Sequence, residues 1–280
     1  MGEFVHAVFN HSFMLNALLT GVLASVACGV VGTYVVTRRI TYIAGGIAHS
    51  VLGGLGVARY LSIVEEWAWL QPMHGAVVAA LIASIVIGWV SLRAREREDT
   101  VIGAIWAIGM AVGIIFITLT PGYNEDLMTY LFGNILLVTI ADLYLIVVLD
   151  AVIVAVVLLF YHKFLAVCFD EEFARIRGIN TEFFYILLLC LTGLTVVILV
   201  GVVGIVMVIA LLTLPAAIAG YFTRTLWQSM LVATMLSVLF TTFGLAISYS
   251  PDLPAGATII IFAGVIYLFV AVSHRLARPQ

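Results

Sequence analysis

The run DLYLIVVLDAVIVAVVLLF, residues 142–160, constrains the fold of this chain more than any other feature. Apart from its first residue it has one ionisable carboxylate, Asp150, in otherwise apolar surroundings. About 20 such residues in a helix cross the hydrocarbon core of a bilayer. Inside lipid, a helix survives because it satisfies its own backbone groups. The rest of the chain repeats this pattern. Of its 280 residues, 64% are hydrophobic and 10% are charged, whereas a soluble domain has about 25% charged residues. A water-facing globule of this size could not hide so much apolar surface. The short alternating segments of a membrane β-barrel do not occur. The chain therefore reads as an all-α, polytopic membrane protein.

Charges and turn residues divide it into apolar blocks near residues 14–36, 40–62, 73–92, 101–120, 139–161, 182–200, 202–219, 229–248 and 257–273. These predict about nine spans in one transmembrane domain covering residues 1–280. The seventh follows the sixth across only VGVVG, so a half-span or re-entrant helix is an alternative there. If the spans alternate, every Lys and Arg except Arg59 falls on one side. The positive-inside rule then puts the N-terminus outside and the C-terminus in the cytoplasm. Glu3, Glu65, Glu66, Glu125, Asp126, Asp142 and Asp252 fall on the outer side. That acidic face is either a solvated rim or a docking surface and cation-attracting field, with Glu65, Glu66, Glu125 and Asp126 as candidate contacts for a partner. The N-terminus MGEFVHAVFNHSF has no basic n-region, so no cleavable signal peptide is expected.

Several chemistries find no support. There is no long basic tract, so nucleic acid is not an expected partner. Cys28, Cys168 and Cys190 lack CxxC spacing and read as small apolar fillers. No GxxxxGK[ST], GxSxG or HExxH motif is present, so any ATP hydrolysis must occur on another chain. The linking segment KFLAVCFDEEFARIRGINTE reads as a short amphipathic helix ended by Gly178.

Two polar residues lie inside the predicted spans. His49 stands in TYIAGGIAHSVLGGLG, sharing a helical face with Gly45, Gly46, Gly53 and Gly56. Glycine lets another backbone approach closely, so this face predicts a tight helix–helix contact enclosing the imidazole. His49 is then either a neutral histidine bonded to a carbonyl or a step in a substrate path. The face of Asp150 offers only Ile146, Val147, Ile153 and Val154. Its carboxyl must be protonated, paired across helices, or wet. One hypothesis is that His49 and Asp150 approach each other, or line one cation path; the alternative is a protonated Asp150 bonded to a backbone carbonyl. Further along, LLTLPAAIAGYFTRTLWQSM reads as an inner connection in which Pro215 breaks or starts a helix. Ala216, Ala217, Ala219 and Gly220 permit close docking there, with Arg224 and Trp227 at the interface. A simple interfacial turn and a helix that contacts a cytoplasmic partner both fit.

In order, RRITYIAGGIAHSVLGG, LMTYLFGNILLV and GVVGIVMVIALLTLPAAIAGYFTR resemble the membrane permease subunits of ABC importers for zinc, manganese or iron(II). The resemblance covers nearly the whole chain. It implies a fold related to the cobalamin and siderophore permeases and a bacterial inner-membrane location. It also implies a permease homodimer, two ABC ATPase subunits on the cytoplasmic side and an extracytoplasmic metal-binding protein. The cargo would be zinc, manganese or iron(II), with ATP on the partner and no tightly bound cofactor on this chain. By the same resemblance, His49 matches the family's histidine and the segment from Pro215 to Arg224 matches its ATPase-contacting loop. Many members have an acidic residue where this chain has Gly45. Asp150 matches none of the motifs that carry the resemblance. A permease for a metal chelate and a stand-alone secondary carrier are the competing readings; the chain is not expected to be an enzyme.

Overall fold

The computed structural model describes residues 10–67, 69–93, 98–121, 138–205, 208–249 and 253–277, with a few isolated positions besides. Among the described residues, every regular element is helical: α1 Ser12–Arg38, α2 Thr41–Val64, α3 Pro72–Arg93, α4 Glu98–Leu119, α5 Ile140–Phe169, α6 Glu171–Ile176, α7 Thr181–Val203, α8 Val208–Phe222, α9 Leu226–Tyr249 and α10 Ala255–Ala277. Eight of these are long and apolar enough to cross a membrane, and α8 is a shorter apolar helix. The chain is a multi-pass helical membrane protein.

The helix ends follow local chemistry. Thr139 and Asp142 form a reciprocal capping box at the start of α5, with Asp142 N donating to Thr139 Oγ1 at 3.2 Å and Thr139 N donating to Asp142 Oδ2 at 3.0 Å. Asp170 Oδ1 accepts from Phe173 N at 2.8 Å to start α6, and Asn180 Oδ1 accepts from Phe183 N at 3.0 Å to start α7. Gly204, with φ 78°, ends α7. The left-handed backbone there breaks what would have been one long hydrophobic helix. The seventh apolar block thus becomes α8, 15 residues long and starting later than the predicted span.

Pro215 departs from the sequence expectation. It neither starts nor ends a helix but lies buried inside α8, and the turn to α9 is confined to residues 223–225. Ala216 and Ala219 pack against Ala233 of α9, so their small size serves an internal helix contact.

The most extensive helix pairs are α2 with α4, α1 with α9 and α2 with α3. The most enclosed span is α7, whereas α4 and α10 leave most of their surface uncovered. At the Arg38 end of α1, Arg38 bridges to Glu171 at 3.0 Å while its guanidinium lies 5.6 Å from the Tyr185 ring centre. Arg175 binds the same Glu171 at 3.0 Å. The side-chain hydrogen bond from Arg38 comes first among the causes that hold the Glu171 carboxyl below the usual carboxylate range.

Candidate functional site

The α2–α4 seam is built by backbones in near contact. A Cβ on Gly53 would lie 2.9 Å from the Gly109 carbonyl oxygen, and one on Gly56 would lie 2.6 Å from that of Gly113. Seen from α4, Gly109 faces Ser50 and Gly113 faces Leu52. Gly109 and Gly113 are spaced i, i+4, the small-xxx-small pattern of close membrane crossings. Gly46 meets Ile102 of α4, whereas Gly45 faces away toward α8, where Ile209 Cδ1 stands 2.8 Å from the position of an added Cβ. The four glycines of the His49 face therefore serve two neighbouring helices.

His49 is buried in this seam, 8% exposed. Its ring stacks on Trp106 of α4, with centroids 3.9 Å apart and an interplanar angle of 25°. Its Nδ1 lies 2.9 Å from the Gly45 carbonyl oxygen. A carbonyl only accepts, so Nδ1 must carry the proton. In the neutral ring, the lone pair is then on Nε2, and that nitrogen is left for a ligand. A carbonyl fixing one ring nitrogen while the other coordinates is the usual arrangement behind a metal-binding histidine. Among the described residues, no group of three or more His, Cys, Asp or Glu side chains converges on one point.

Asp150 is also buried, at 6% exposure, but it faces α1, beside the Ala27 backbone and Cys28. Among the described residues, its Oδ1 has no hydrogen-bond partner. The structure thus sets His49 against α4 and Asp150 against α1, and no contact joins them among the described residues.

At the α2 C-terminus, Glu65 and Glu66 are exposed, and Glu66 has φ 57°. Beyond them, Trp67 and Trp69 are exposed and stack at 6.1 Å. Glu125 and Asp126 lie outside the described residues, as do Glu3, Arg95, Arg97, Asp252, Arg278 and nearly all of LMTYLFGNILLV. Past α8, the residues expected to meet a partner divide. Pro215 and Ala216 are buried and Ala217 is half-buried, while Gly220, Arg224 and Trp227 are exposed. Tyr221 and Phe222, which sequence reasoning passed over, are exposed beside them.

Two cavities flank the seam. An apolar cleft of about 560 Å³ lies between α2, α3 and α4, lined by residues such as Gly53, Gly75, Val78 and Ile108. A polar cavity of about 360 Å³ is lined by Arg38, Arg39, Tyr42, Asp99, Glu171 and Tyr185. Tyr42 connects this polar cavity to the histidine, because its ring centre is 6.5 Å from that of Trp106. Sequence reasoning missed Trp106, although the i, i+3, i+7 spacing of Trp106, Gly109 and Gly113 marks one face of α4.

Comparison with known proteins agrees with this architecture. Residues 10–274 match the ABC 3 transport family. A probable metal transport system membrane protein of Chlamydia trachomatis is 41% identical over 270 residues, covering 95% of this chain and 92% of that protein. The manganese transport system membrane protein MntC of Listeria monocytogenes is 30% identical over 268 residues, covering 96% and 92%. Among solved structures, PsaBC from Streptococcus pneumoniae in complex with Fab superposes with a TM-score of 0.85 at 29% identity, over 96% of this chain and 94% of that one. The chain belongs to the ABC 3 transport family.

Proposed function

We propose that this chain is the membrane permease of an ATP-driven importer for a divalent transition metal, with manganese as the cargo and zinc and iron(II) as chemically close competitors. As a member of a transport family, it is a transport subunit and not an enzyme. The single observation that carries the metal reading is His49, buried in the α2–α4 seam with Nδ1 bonded to the Gly45 carbonyl and Nε2 left for a ligand. The manganese and metal transport names of full-length relatives favour the same cargo class. Imidazole coordinates all three metals, so the ligand type does not choose among them. A dication cannot cross hydrocarbon bare. One imidazole holds it weakly and transiently, which suits passage better than tight binding.

Two copies would form the pathway, and the largely uncovered surfaces of α4 and α10 support that assembly. The acidic outer residues Glu65 and Glu66, beside the exposed Trp67 and Trp69, would meet the metal-carrying binding protein. ATP would act through two ATPase subunits below, touching Gly220, Phe222, Arg224 and Trp227. Closure of the ATPases would then shift α8 and α9 and open the seam at Gly53 and Gly56. The placement is the bacterial inner membrane, N-terminus outside and C-terminus in the cytoplasm.

The test is reconstitution of the permease with its cognate ATPase and binding protein in proteoliposomes. Manganese should accumulate only with ATP inside the compartment that contains the ATPase. Rapid manganese flux from the permease alone, without nucleotide, would establish the secondary-carrier reading instead.

A further inference from the structure

The buried polar atoms that find no hydrogen-bond partner within the protein are, among the described residues, Thr20 Oγ1, Tyr34 Oη, Asp150 Oδ1 and Ser237 Oγ. They are not scattered. Thr20 and Tyr34 belong to α1, and Asp150 of α5 lies against Ala27 and Cys28 of α1. Ser237 sits on α9 one turn from Thr241, whose hydroxyl is 3.0 Å from that of Ser25 on α1. Thr20, Ala27 and Tyr34 are spaced i, i+7, i+14, which places them on one face of α1 at steps of about 10 Å. That face therefore presents a hydroxyl, a carboxyl and a phenol in line. Thr20 and Tyr34 are 0% exposed and Asp150 is 6% exposed. Buried polar groups in folded proteins are almost always satisfied, commonly by internal water where the protein supplies no partner.

The line also has an aqueous end. Tyr34 lies one turn before Arg38, and Arg38 lines the polar cavity with Glu171 and Tyr185. Tyr34 is held by the Phe164 ring at 5.5 Å, so its phenol has a fixed place between the cavity and Asp150. The Asp150 level and the Tyr34 level are about 10 Å apart along α1, a rise that the two side chains and a few waters at ordinary hydrogen-bond separations bridge together. We infer that the α1–α5 seam holds a file of bound waters running from the polar cavity past Tyr34 to Asp150, and that Asp150 is a proton-binding site served by that file. The proton enters as hydronium from the cavity, passes along the waters and the Tyr34 hydroxyl, and converts the carboxylate to the carboxylic acid; release reverses the same steps. This site is separate from the α2–α4 seam and does not depend on which metal is carried.

The titratable neighbours are few. Cys28 faces Asp150 from α1, and Tyr161 and Cys168 of α5 lie near Tyr34. Among its residues beyond Tyr185, α7 brings Cys190 as its titratable side chain, and α6 meets the far end of α5 with Glu171, Glu172 and Arg175.

The experiment is infrared difference spectroscopy of the full-length permease in lipid nanodiscs, acid minus alkaline, in light and heavy water. A carboxylic C=O band should appear at acid pH, be missing in Asp150→Asn and shift on deuteration. Tyr34→Phe removes one oxygen from the path and keeps the ring. It should retain the band but slow its deuterium exchange by roughly tenfold, about what losing one bridging hydrogen bond is worth. A band that never responds to pH, no band assignable to Asp150, or equal exchange rates in Tyr34→Phe and the unaltered chain would each overturn the inference.

Discussion

At the scale of single residues, position 45 decides what His49 can do. The backbone carbonyl of Gly45 orients Nδ1, and Ile209 from α8 fills the space a side chain there would need. Gly45→Asp should therefore crowd Ile209, and the double variant Gly45→Asp/Ile209→Ala should relieve the crowding. The double variant would place a carboxylate beside the imidazole, so its affinity for manganese should exceed that of the unaltered chain, as read by equilibrium binding on purified protein. Affinity unchanged in the well-folded double variant would count against His49 as the metal contact. The residues differ in how far the sequence exposed them. His49 and Asp150 stand out because an ionisable group in an apolar run is costly unless something compensates for it. What compensates was not legible, since Trp106 and the α1 backbone are brought close only by tertiary packing.

At the scale of elements, the α2–α4 seam and the α6 tether make separate predictions. Gly53→Leu must push α2 away from the Gly109 carbonyl. Overpacking of this kind costs about 1–3 kcal/mol. Thermal unfolding in detergent should show that loss, while Gly103→Leu, at a position with open space, should not. The tether depends on pH. Binding to Arg38 holds Glu171 below the ordinary carboxylate range. Its stabilisation is therefore present above the unfolded-state pKa and is lost as pH falls through the lower folded-state value. The group is partly exposed, so the effect is small, about 1 kcal/mol or less. Glu171→Gln should lower the melting temperature near neutral pH, and the difference from the unaltered chain should vanish in strong acid. Helix existence was legible because apolar length decides it in lipid, and the short α8 was foreshadowed by VGVVG. The fate of Pro215 was not legible. Whether a proline ends a helix or is enclosed within one depends on neighbours, here the fit of Ala216 and Ala219 against Ala233 of α9.

At the scale of the whole molecule, the question is how energy reaches the seam. The exposed cluster after α8 lies at the end of the helix that also contacts α2, through Ile209 against Gly45. In the proposed mechanism, a push by the ATPase on Phe222 or Arg224 would be transmitted along α8 to the helix bearing His49. Arg224→Glu combined with Trp227→Ala should leave the assembled complex able to hydrolyse ATP while transport per ATP falls several-fold; normal coupling would place the ATPase contact elsewhere. In that proposed mechanism, metal crosses this molecule through the α2–α4 seam by way of His49. Its most direct test is ATP-driven manganese uptake by the complete transporter in proteoliposomes, comparing the unaltered permease with His49→Ala. Uptake should fall by roughly tenfold or more, the scale of loss seen when a metal-site group is removed, with assembly and ATP hydrolysis retained. Uptake by His49→Ala at the unaltered rate would contradict it.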